Sequence, residues 1–514
     1  MSALPSFSAL PAELLSDILL LLDIPDLLTC HRLSRPIHSL ISHSIALQYN
    51  LELFTANLVD GPPSHSLKSV RLRSLRDHQR AWNDVKWSDV HDIVLTQDEM
   101  SPELSAWELV GGIFAVAVGR HLRFIQLPSA LRDVPTREWS IPDIGFTMKD
   151  FAMDRSQDLL VVIELSDPAP DSKFLRFHLR RLSNGTPHPR AHDPVITYGP
   201  TTVNVADAWH VVQIYSDYVV IMLQALTTLT SEVIFWNWRT AEQKTVLHGP
   251  VQSIAFLTHD LVMCAMCRPS PDPDAPEILS LDLIDLSTCP ASLDIVDRSN
   301  AHTTLLLPQL SNNSEVNDPE IAIRTDYSPS YALASQHPRP FTTAAVDRLV
   351  VVTIKAFHTD LSFALFMLTS TLLDLAASRP QDPLAWGSWG PARTRMLRVD
   401  LSDVWFCYVH GMRAVVPSSQ SQGTTDVLDF NQRALRKSLY HRSPDMRLQR
   451  YLIGATRVDE DEEMFERPVD TALPCRIQSF ETPGLVSQEN LEFMLSEDGL
   501  VLIQDDHKFK VFSF

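Results

Sequence analysis

Beyond residue 85, short apolar runs occur in pairs along most of the chain. They include GGIFAVAVGRHLRFIQL, YVVIMLQ with EVIFWNWRTAEQ, and NLEFMLSEDGLVLIQ with KFKVFSF. Each run has the length and the alternating or continuous hydrophobicity of a β-strand, and turn residues separate the two members of a pair. The pairs recur at intervals of roughly 45 to 80 residues, which is typical of one repeated sheet with inserted loops of different length.

About seven such units can be counted, which favours a β-propeller, in which repeated sheets called blades surround a channel. A pair of sandwiches or a solenoid is the alternative, although solenoid repeats are more regular in length. The unit VIFWNWRTAEQ resembles the blades of WD-repeat proteins but lacks their full Gly-His and Trp-Asp pair. The terminal run KFKVFSF is suited to complete the first blade and close the ring, which removes the open sheet edges.

The N-terminal segment has a different, helical periodicity. Pro11 suits the first turn of a helix, and the apolar spacing after it predicts three short helices. The first carries Leu14, Leu15, Ile18, Leu19 and Leu22; Asp26 caps the second, which carries Leu27, Leu28 and Leu33; the third carries Ile37, Leu40, Ile41, Ile45 and Leu47. Roughly 40 residues rarely form a stable core of their own. Either the rest of the chain covers this apolar surface, or another protein does.

The segment LPAELLSDILLLLDIPDLLTCHRLSRPIHSLISHSIALQY resembles the F-box motif. The Leu-Pro start, the paired apolar residues of the first helix, the Asp-Leu-Leu of the second and the Leu-Ser-Arg turn all match. One departure is Pro36-Ile37, where the family usually has a bulky residue, often followed by Trp. F-box proteins bind the Skp adaptor of cullin-RING ubiquitin ligases. The resemblance implies that Leu33 and Ile37 brace the helices and that the adaptor-facing residues are Leu10, Pro11, Leu14, Leu15, Ile18, Leu19, Leu27 and Leu28.

The next segment, SHSLKSVRLRSLRDHQRAW, predicts a weakly amphipathic connector helix with Ser64 or Ser66 as its cap. Its basic residues form either a patch for an anionic partner or, the interpretation we favour, a solvated face that complements the acidic body of the chain. These residues are Lys68, Arg71, Arg73, Arg76 and Arg80. Trp82 and Trp87 are predicted to be docking and core aromatics.

Together with the segments AWNDVKWSDV and WELVGGIFAVA, these features resemble the expanded set of fungal, especially mushroom-type, F-box proteins with degenerate propellers. The predicted domains are an F-box helical module at 1–55, a linker with the basic helix at 56–84, and the propeller at 85–514. The predicted fold class is therefore mainly β, an irregular propeller of about seven blades preceded by a three-helix F-box module and a linker helix.

Charge and cysteine usage argue against several classes of function. The 514 residues carry 63 acidic and 43 basic side chains, a formal net charge of -20, which disfavours a general binder of nucleic acid or anionic membranes. Six unevenly spaced cysteines suit free thiols in a reducing compartment. No basic residue precedes the N-terminal apolar run, and Asp17, Asp23 and Asp26 interrupt it. We therefore expect no signal peptide, no membrane span, and a cytoplasmic or nuclear location.

The segment CAMC at 264–267 has the spacing of a zinc-binding pair. It lies in the strand-like run LVMCAMC, so Cys264 and Cys267 are expected on opposite sheet faces, as buried structural thiols rather than ligands of one ion. The acidic run DEDEE at 459–463 lacks the alternating ligands and central glycine of an EF-hand. The chain has no Gly-x-Ser-x-Gly elbow, no Walker loop and no Gly-x-Gly-x-x-Gly after a strand. We expect no metal, no cofactor and no catalytic site.

Three functions are compatible with this organisation. The favoured one is a substrate-receptor subunit of a Skp–cullin–F-box ubiquitin ligase, in which the F-box binds the adaptor and the propeller recruits a protein target. A non-catalytic interaction scaffold is the first alternative. A propeller hydrolase is the second, but it requires carboxylates at matching strand positions in the channel, and the sequence shows no such periodic carboxylate. The target stays open, because recognition would use variable loops such as the Pro-rich RPSPDPDAP, SNGTPHPRAHDP and SQHPRP.

Overall fold

The computed structural model describes most of the chain. The described ranges are 10–63, 66–94, 105–129, 134–164, 174–205, 208–225, 230–312, 318–326, 340–344, 347–356, 361–399, 408–418, 423–441, 450–458, 464–481, 492–505 and 508–514. They contain eight α-helices and 34 β-strands. None of these helices is long and apolar enough to cross a membrane. Ser64, Cys407 and the acidic run at 459–463 lie outside the described residues.

Four helices, not the predicted three, form the N-terminal module: α1 (Ala12–Leu20), α2 (Ile24–Cys30), α3 (Arg35–His43) and α4 (Ile45–Ala56). The predicted third helix is divided at Ser44. The backbone of Ser44 is extended and ends α3, while its hydroxyl accepts a hydrogen bond from the N–H of Leu47 (3.5 Å) at the start of α4. The cap of α2 is Asp23 rather than Asp26, because the Asp23 carboxylate accepts the N–H of Asp26 (3.0 Å).

After α4 the chain forms β1 (Leu58–Asp60), the connector helix α5 (Lys68–Asp84) and β2 (Asp89–Val94). The N-cap of α5 is Leu67, which supplies no capping side chain. Trp82 is 2% exposed and stacks on Phe514 with the ring centroids 3.9 Å apart, and Trp87 packs on Phe512 (4.9 Å). Both tryptophans therefore attach the connector to the end of the chain, the docking role that the sequence predicted.

Seven sheets form the blades of a propeller, and the first strand of each blade lies at one edge of its sheet. First strands contact each other at five of the seven junctions between blades, all except those between blades 3 and 4 and between blades 7 and 1, for which no such contact is described. Blade 1 has β3 (Ser105–Val110), β4 (Ile113–Val118), β5 (His121–Gln126) and β6 (Arg137–Ile141); blade 2 has β7 (Met148–Asp154), β8 (Leu159–Glu164), β9 (Leu175–Arg181) and β10 (Val195–Tyr198); blade 3 has β11 (Ala208–Tyr215), β12 (Tyr218–Ala225), β13 (Ser231–Asn237) and β14 (Glu242–Gly249).

The next two blades carry insertions. Blade 4 has β15 (Val251–Phe256), β16 (Leu261–Arg268), β17 (Ile278–Asp285) and, after β18 (Ser292–Asp294), β19 (Thr303–Leu306). Strand β18 pairs in parallel with β14 and extends blade 3. Blade 5 has β20 (Pro319–Thr325) and, after β21 (Phe341–Thr343), β22 (Leu349–Ala356), β23 (Ser362–Leu368) and, after α6 (Thr369–Ser378) and α7 (Trp386–Trp389), β24 (Thr394–Arg398).

Blade 6 holds the longest insertion, placed between its third and fourth strands. It has β25 (Val409–His410), β26 (Arg413–Pro417), β27 (Thr424–Asp429), then α8 (Gln432–His441), β28 (Arg450–Leu452), β29 (Thr456–Val458) and β30 (Val469–Thr471), and finally β31 (Cys475–Glu481). Blade 7 has β32 (Glu492–Leu495), β33 (Gly499–Asp505) and β34 (Lys508–Ser513), with β2 as its outer strand.

The ring is closed by the last strand and by β2. They pair antiparallel from Asp89↔Ser513 to Val94↔Lys508. The run KFKVFSF thus supplies the third strand of the last blade and is paired by the strand that follows the connector. The expectation that it completes the first blade is wrong, because β3 to β6 already give blade 1 its four strands.

The core lies between the blades, and each sheet is apolar on both faces. On β16, Val262 and Cys264 pack with residues of blade 3, whereas Met263 and Ala265 pack with residues of blade 5. Alternate residues of one strand point to opposite faces. This two-sided burial explains the continuous apolar runs of the sequence.

The propeller has two distinct ends. Strands alternate in direction within each blade, so every connection from a first to a second strand, and from a third to a fourth, lies at the same end. That end, which we call the helical end, carries β21, α6, α7 and α8, because all four are inserted in such connections. The opposite end, the far end, carries the connections between blades and those from second to third strands.

The N-terminal module is attached at the helical end. Strand β1 pairs antiparallel with β21 from Leu58↔Thr343 to Asp60↔Phe341. The Tyr49 hydroxyl donates to the Asp60 carboxylate (2.7 Å) and lies 3.0 Å from the carbonyl oxygen of Pro340. Further contacts come from blade 6: Asn431 donates to the carbonyl of Thr55 (2.9 Å), and Lys437 pairs with Glu52 (2.8 Å).

Candidate functional site

The N-terminal module has a small core and a large uncovered apolar surface. Leu19, Leu27, Ile37, Ile41 and Leu47 form its buried cluster. Leu14, Ile18 and Leu21 remain 50%, 38% and 86% exposed. Because they are spaced four and three residues apart, Leu14 and Ile18 of α1 and its C-cap residue Leu21 share one side of the helix; we call them the α1 stripe. Leu28, Leu33 and Ile45 are also exposed.

The structure divides the eight predicted adaptor-facing residues into two groups. Pro11, Leu14, Ile18 and Leu28 are exposed and Leu10 is half-buried, whereas Leu15, Leu19 and Leu27 are 9%, 1% and 1% exposed. Of the three buried leucines, Leu19 and Leu27 belong to the cluster that holds the helices together. Of the two residues expected to brace the helices, Ile37 is buried but Leu33 is 67% exposed. Contact of any of these residues with an adaptor stays a prediction.

The basic residues of α5 are largely neutralised within the chain. Arg71 is buried and pairs with Asp60 (2.5 Å), Arg76 pairs with Glu52 (3.3 Å), and Arg80 pairs with Asp77 (3.1 Å). Lys68 and Arg73 are exposed. This arrangement fits a helix face that complements the acidic body better than a patch for an anionic partner.

The CAMC segment forms part of β16, and its two thiols lie in different interfaces. Cys264 belongs to the cluster between blades 3 and 4, and Cys267 to the cluster between blades 4 and 5. Burial raises the pKa of both thiols, to about 12 for Cys267. Among the described residues no group of three or more His, Cys, Asp or Glu side chains could hold a metal ion. The predicted opposite orientation of the two thiols is confirmed.

The channel wall contains two carboxyl groups that sequence reasoning missed. Glu108 lies on β3 and Asp150 on β7, the first strands of neighbouring blades. Burial, with the charge of Asp150, raises the pKa of Glu108 well above its ordinary value, and burial raises the pKa of Asp150 to about 7. They occupy different positions along their strands, so a search for a periodic carboxylate overlooks them. The polar Glu108 in the apolar run WELVGG was the available signal.

The environment of Glu108 fits a link between blades. Its carboxylate accepts the backbone N–H of Met153 on blade 2. Comparable links occur further round the ring, where Gln213 donates to the carbonyl of Ile254 (3.1 Å) and Gln252 to that of Pro319 (3.2 Å). Polar side chains on the first strands therefore satisfy backbone groups of the next blade. We assign no catalytic role to Glu108 and Asp150.

The Pro-rich loops do not form one recognition surface. RPSPDPDAP connects β16 to β17 at the far end, whereas SNGTPHPRAHDP connects β9 to β10 at the helical end. Most of SQHPRP lies outside the described residues, and its last residue, Pro340, contacts Tyr49 at the helical end. Strand order decides the end at which each insertion lies, and composition contains no information about that order.

The fold defines the class of this chain: it is a seven-bladed β-propeller with an N-terminal helical module, a fold suited to protein–protein interaction. No family model matches the chain. No curated protein matches its sequence significantly.

Solved propeller structures resemble the chain in fold alone. The WD40 domain of SCAP from fission yeast is 8% identical, over 81% of this chain and 86% of that one, with a TM-score of 0.35. Kluyveromyces lactis Hsv2 is 8% identical over 77% and 88%, with a TM-score of 0.36. The β-propeller domain of the Trilobed protease from Pyrococcus furiosus is 7% identical over 78% and 91%, with a TM-score of 0.31.

Proposed function

We propose that this chain is the substrate-receptor subunit of a Skp–cullin–F-box-type ubiquitin ligase, with the N-terminal module as an F-box and the propeller as the recruiting domain. The observation that carries the proposal is the α1 stripe, which the propeller leaves uncovered. The F-box-like spacing around it supports the Skp adaptor as the occupant. Membership of the fungal F-box set and a cytoplasmic or nuclear location belong to the same proposal.

Burial of the α1 stripe supplies the free energy of this contact. Transfer of one Leu or Ile side chain from water into an apolar environment contributes about 1.5–3 kcal/mol. Leu14 and Leu21 are 50% and 86% exposed, so half or more of that energy is available to a partner. Leu19 and Leu27, in the core of the module, hold the stripe in place, and adaptor contact of Leu15, Leu19 and Leu27 stays a prediction.

In this proposal the chain transfers no group itself. It raises the effective concentration of a target next to a ligase bound elsewhere on the assembly. The contacts of β1, Tyr49 and Lys437 with blades 5 and 6 hold the module at one end of the propeller. Adaptor and target therefore occupy one body with a defined separation, and the chain acts as a non-catalytic receptor.

The test is binding of the full-length chain to purified Skp adaptor, measured by calorimetry and by size-exclusion chromatography. We expect a 1:1 complex. The double variant Leu14→Asp with Ile18→Asp should weaken it by about two orders of magnitude, because it places charges in an apolar contact. Ile453→Asp is the matched control, since Ile453 is 51% exposed but lies on blade 6. Retained binding by the double variant would refute the assigned interface.

A non-catalytic scaffold is the second candidate. The observation in its favour is the extensive attachment of the module to the propeller through β1, α5 and α8, which lets the helices act as a cap of the helical end. The two candidates separate in the same calorimetric experiment. A chain that folds normally and shows no affinity for the adaptor is a scaffold.

A further inference from the structure

The channel wall between blades 5 and 6 contains a guanidinium group with few partners. Arg324 lies on β20 and is half-buried. Its Nη1 donates to the carbonyl of Ile323 (2.9 Å), and this is its single hydrogen bond to the described residues. Its Nε is buried without an acceptor, and no Asp or Glu side chain of the described ranges forms an ion pair with it. A partly buried cation without a counter-ion is costly, and a bound anion would compensate it.

The guanidinium of Arg324 lies on the channel side of its strand. Strand β22 pairs with one edge of β20, and the other edge borders the channel. On that second edge, the N–H of Ile323 donates to the hydroxyl of Ser253 on blade 4 (3.0 Å). The N–H and C=O of one strand residue point to the same edge. The carbonyl of Ile323 that holds Arg324 is therefore on the channel edge.

A buried tyrosine of blade 6 lies near this guanidinium. Strands β20 and β25 contact each other, and Tyr408 directly precedes β25. Tyr408 is 2% exposed, and apart from a loose contact with Thr353 its hydroxyl has no hydrogen-bond partner in the described part of the chain. Burial raises the pKa of Tyr408 to about 12, although the charge of Arg324 opposes this shift. The phenol therefore keeps its proton and is available as a donor.

A histidine supplies a third group, nearer to the helical end. The Nδ1 of His410 lies 3.3 Å from the Asp326 carboxylate. This carboxylate holds the ring proton on Nδ1, which leaves Nε2 as an acceptor, and no donor reaches it from the described residues. Asp326 follows Arg324 by two positions, so both side chains point toward blade 6. Arg324, Tyr408 and His410 thus present unused hydrogen-bonding groups on one part of the channel wall.

The charges at this place leave a positive surplus. Arg348 is 1% exposed and donates to three backbone carbonyls, including that of Asp326, rather than to a carboxylate. Among the described polar contacts of Arg324, Arg348 and His410, the Asp326 side chain is the single carboxylate. An anion therefore fits better than a cation, and the planar fork of arginine matches a carboxylate or a phosphate. The net charge of -20 disfavours a polyanion such as a nucleic acid.

A cavity at the helical end connects this part of the wall with solvent. It encloses about 400 Å³, is partly open, and lies beside the turns that join the first two strands of blades 6 and 7. His410 forms part of its lining, together with His78, Gln79 and Arg413. Strand β20 runs toward the helical end, so Arg324 lies deeper in the channel than Asp326 and its partner His410. We take this cavity as the route of entry.

We propose that the channel wall between blades 5 and 6 binds the oxyanion group, a carboxylate or a phosphate, of a small molecule that also carries a hydroxyl. Arg324 pairs with the oxyanion, the Tyr408 hydroxyl donates to it, and the Nε2 of His410 accepts the hydroxyl proton. Hydroxycarboxylates and hydrogen phosphates have both groups. The inference goes beyond the proposed function and does not depend on it, because neither the α1 stripe nor the adaptor takes part.

The test is isothermal titration calorimetry of the full-length chain with two matched pairs of probes at constant ionic strength. Malate and succinate differ by one hydroxyl, and phosphate differs from sulphate by the proton it keeps at neutral pH. We expect saturable 1:1 binding of malate, phosphate or both, and binding of succinate and sulphate about tenfold weaker or less. Arg324→Gln should weaken the best probe by about a hundredfold, Arg324→Lys by less, and Tyr408→Phe by about tenfold.

The matched control is Arg398→Gln, which removes an exposed arginine from the outer strand β24 of the same blade and should leave the affinity unchanged. No saturable binding of any probe to wild type, equal affinity within both pairs of probes, or unchanged affinity in Arg324→Gln would overturn the inference. Thermal unfolding with and without the probe checks that each variant folds. The probe should raise the midpoint of wild type and of Arg398→Gln but not that of Arg324→Gln.

A second arm tests a protein as the source of the oxyanion. A Gly-Ser peptide with one Asp side chain presents the same carboxylate next to hydroxyl groups, and we expect it to bind at least tenfold more weakly than malate or phosphate, because its bulk does not fit the channel wall. Peptide binding that is lost in Arg324→Gln, without binding of the free anions, would assign the site to a protein side chain and overturn the small-molecule inference.

Discussion

The N-terminal module and the propeller bury their apolar residues in different ways. In the propeller, β22 and β23 are buried along nearly their whole length, because each sheet has a neighbouring blade on both faces. In the module, Leu19 is 1% exposed but Leu21, two residues later, is 86% exposed. A closed ring leaves no outer blade, whereas four short helices attached to one end necessarily have an uncovered side. In the module, an exposed leucine therefore marks the side that the rest of the chain leaves uncovered.

The largest difference between the two regions is expected from truncation of a core residue. Phe366 is fully buried between blades 5 and 6 and stacks on Phe430 at 4.9 Å. Phe366→Ala should lower the free energy of unfolding by about 3–5 kcal/mol. Leu14→Ala, on the uncovered stripe, should change it by less than about 0.5 kcal/mol. Urea denaturation followed by tryptophan fluorescence measures both, and a large loss in Leu14→Ala would contradict the assigned exposure.

The junction between the regions should show an intermediate effect. Tyr49→Phe removes a hydroxyl that donates to Asp60 and also approaches the carbonyl of Pro340. We expect a loss of about 1–2 kcal/mol, since the remaining acceptors stay partly buried. Tyr440→Phe is the control, because its ring is 86% exposed. Proteolysis of the native protein provides the second measurement: cleavage near β1 should accelerate in Tyr49→Phe and not in the control.

A smaller effect at the same junction depends on pH. His78 on α5 is buried, and its Nε2 accepts a hydrogen bond from Trp82 (3.0 Å). Burial, supported by the charge of Arg413 and opposed by the charges of Asp498 and Glu497, lowers the pKa of His78 below its ordinary 6.5. The folded chain therefore keeps the ring neutral, while the unfolded chain takes up a proton as pH falls through 6.5.

Stability from this histidine is thus fully present above pH 6.5 and decreases as the pH falls below it. His78→Gln should flatten the dependence of the unfolding free energy on pH between 7.5 and 5.5 in urea titrations. His259→Gln, at an exposed histidine, is the control. The same slope in wild type and His78→Gln would show that His78 takes up its proton over the same pH range in the folded and the unfolded chain.

The smallest expected effect is a difference in alkylation rate between a thiol of the module and two thiols of the propeller. Cys30 in the module is half-buried, whereas Cys264 and Cys267 are 0% and 4% exposed in the propeller. Because thiolate is the reactive form and burial raises the pKa of Cys264 and Cys267, iodoacetamide should label Cys30 before these two thiols. Peptide mass mapping after brief alkylation measures the order. Early labelling of Cys264 would contradict its position between blades.

The sequence predicted much of the propeller because strand periodicity is a local property. The alternation in LVMCAMC placed Cys264 and Cys267 on opposite faces, and the structure confirms it. The pairing partner of the strand that closes the ring could not be predicted from the sequence. KFKVFSF is a strand as predicted, but its pairing with β2 joins residues more than four hundred positions apart, and no local pattern specifies that partner.

The candidate sites were predicted less completely. Helical spacing identified the apolar residues of α1, yet it did not separate Leu15 and Leu19, which are buried, from Leu14 and Ile18, which are not. That division depends on where α3 and α4 pack. The helical spacing did not show that the predicted third helix is divided at Ser44 into these two helices.

By itself, the sequence determined the kinds of element and the faces of each strand, since these depend on the order of neighbouring side chains along a few turns or pleats. The tertiary structure alone decided which leucines lie outside, at which end each insertion lies, and which strands pair to close the ring. Those outcomes depend on contacts between residues that are distant in the chain. Alternative sets of such contacts have comparable free energies, and one set is selected only when the whole ring closes.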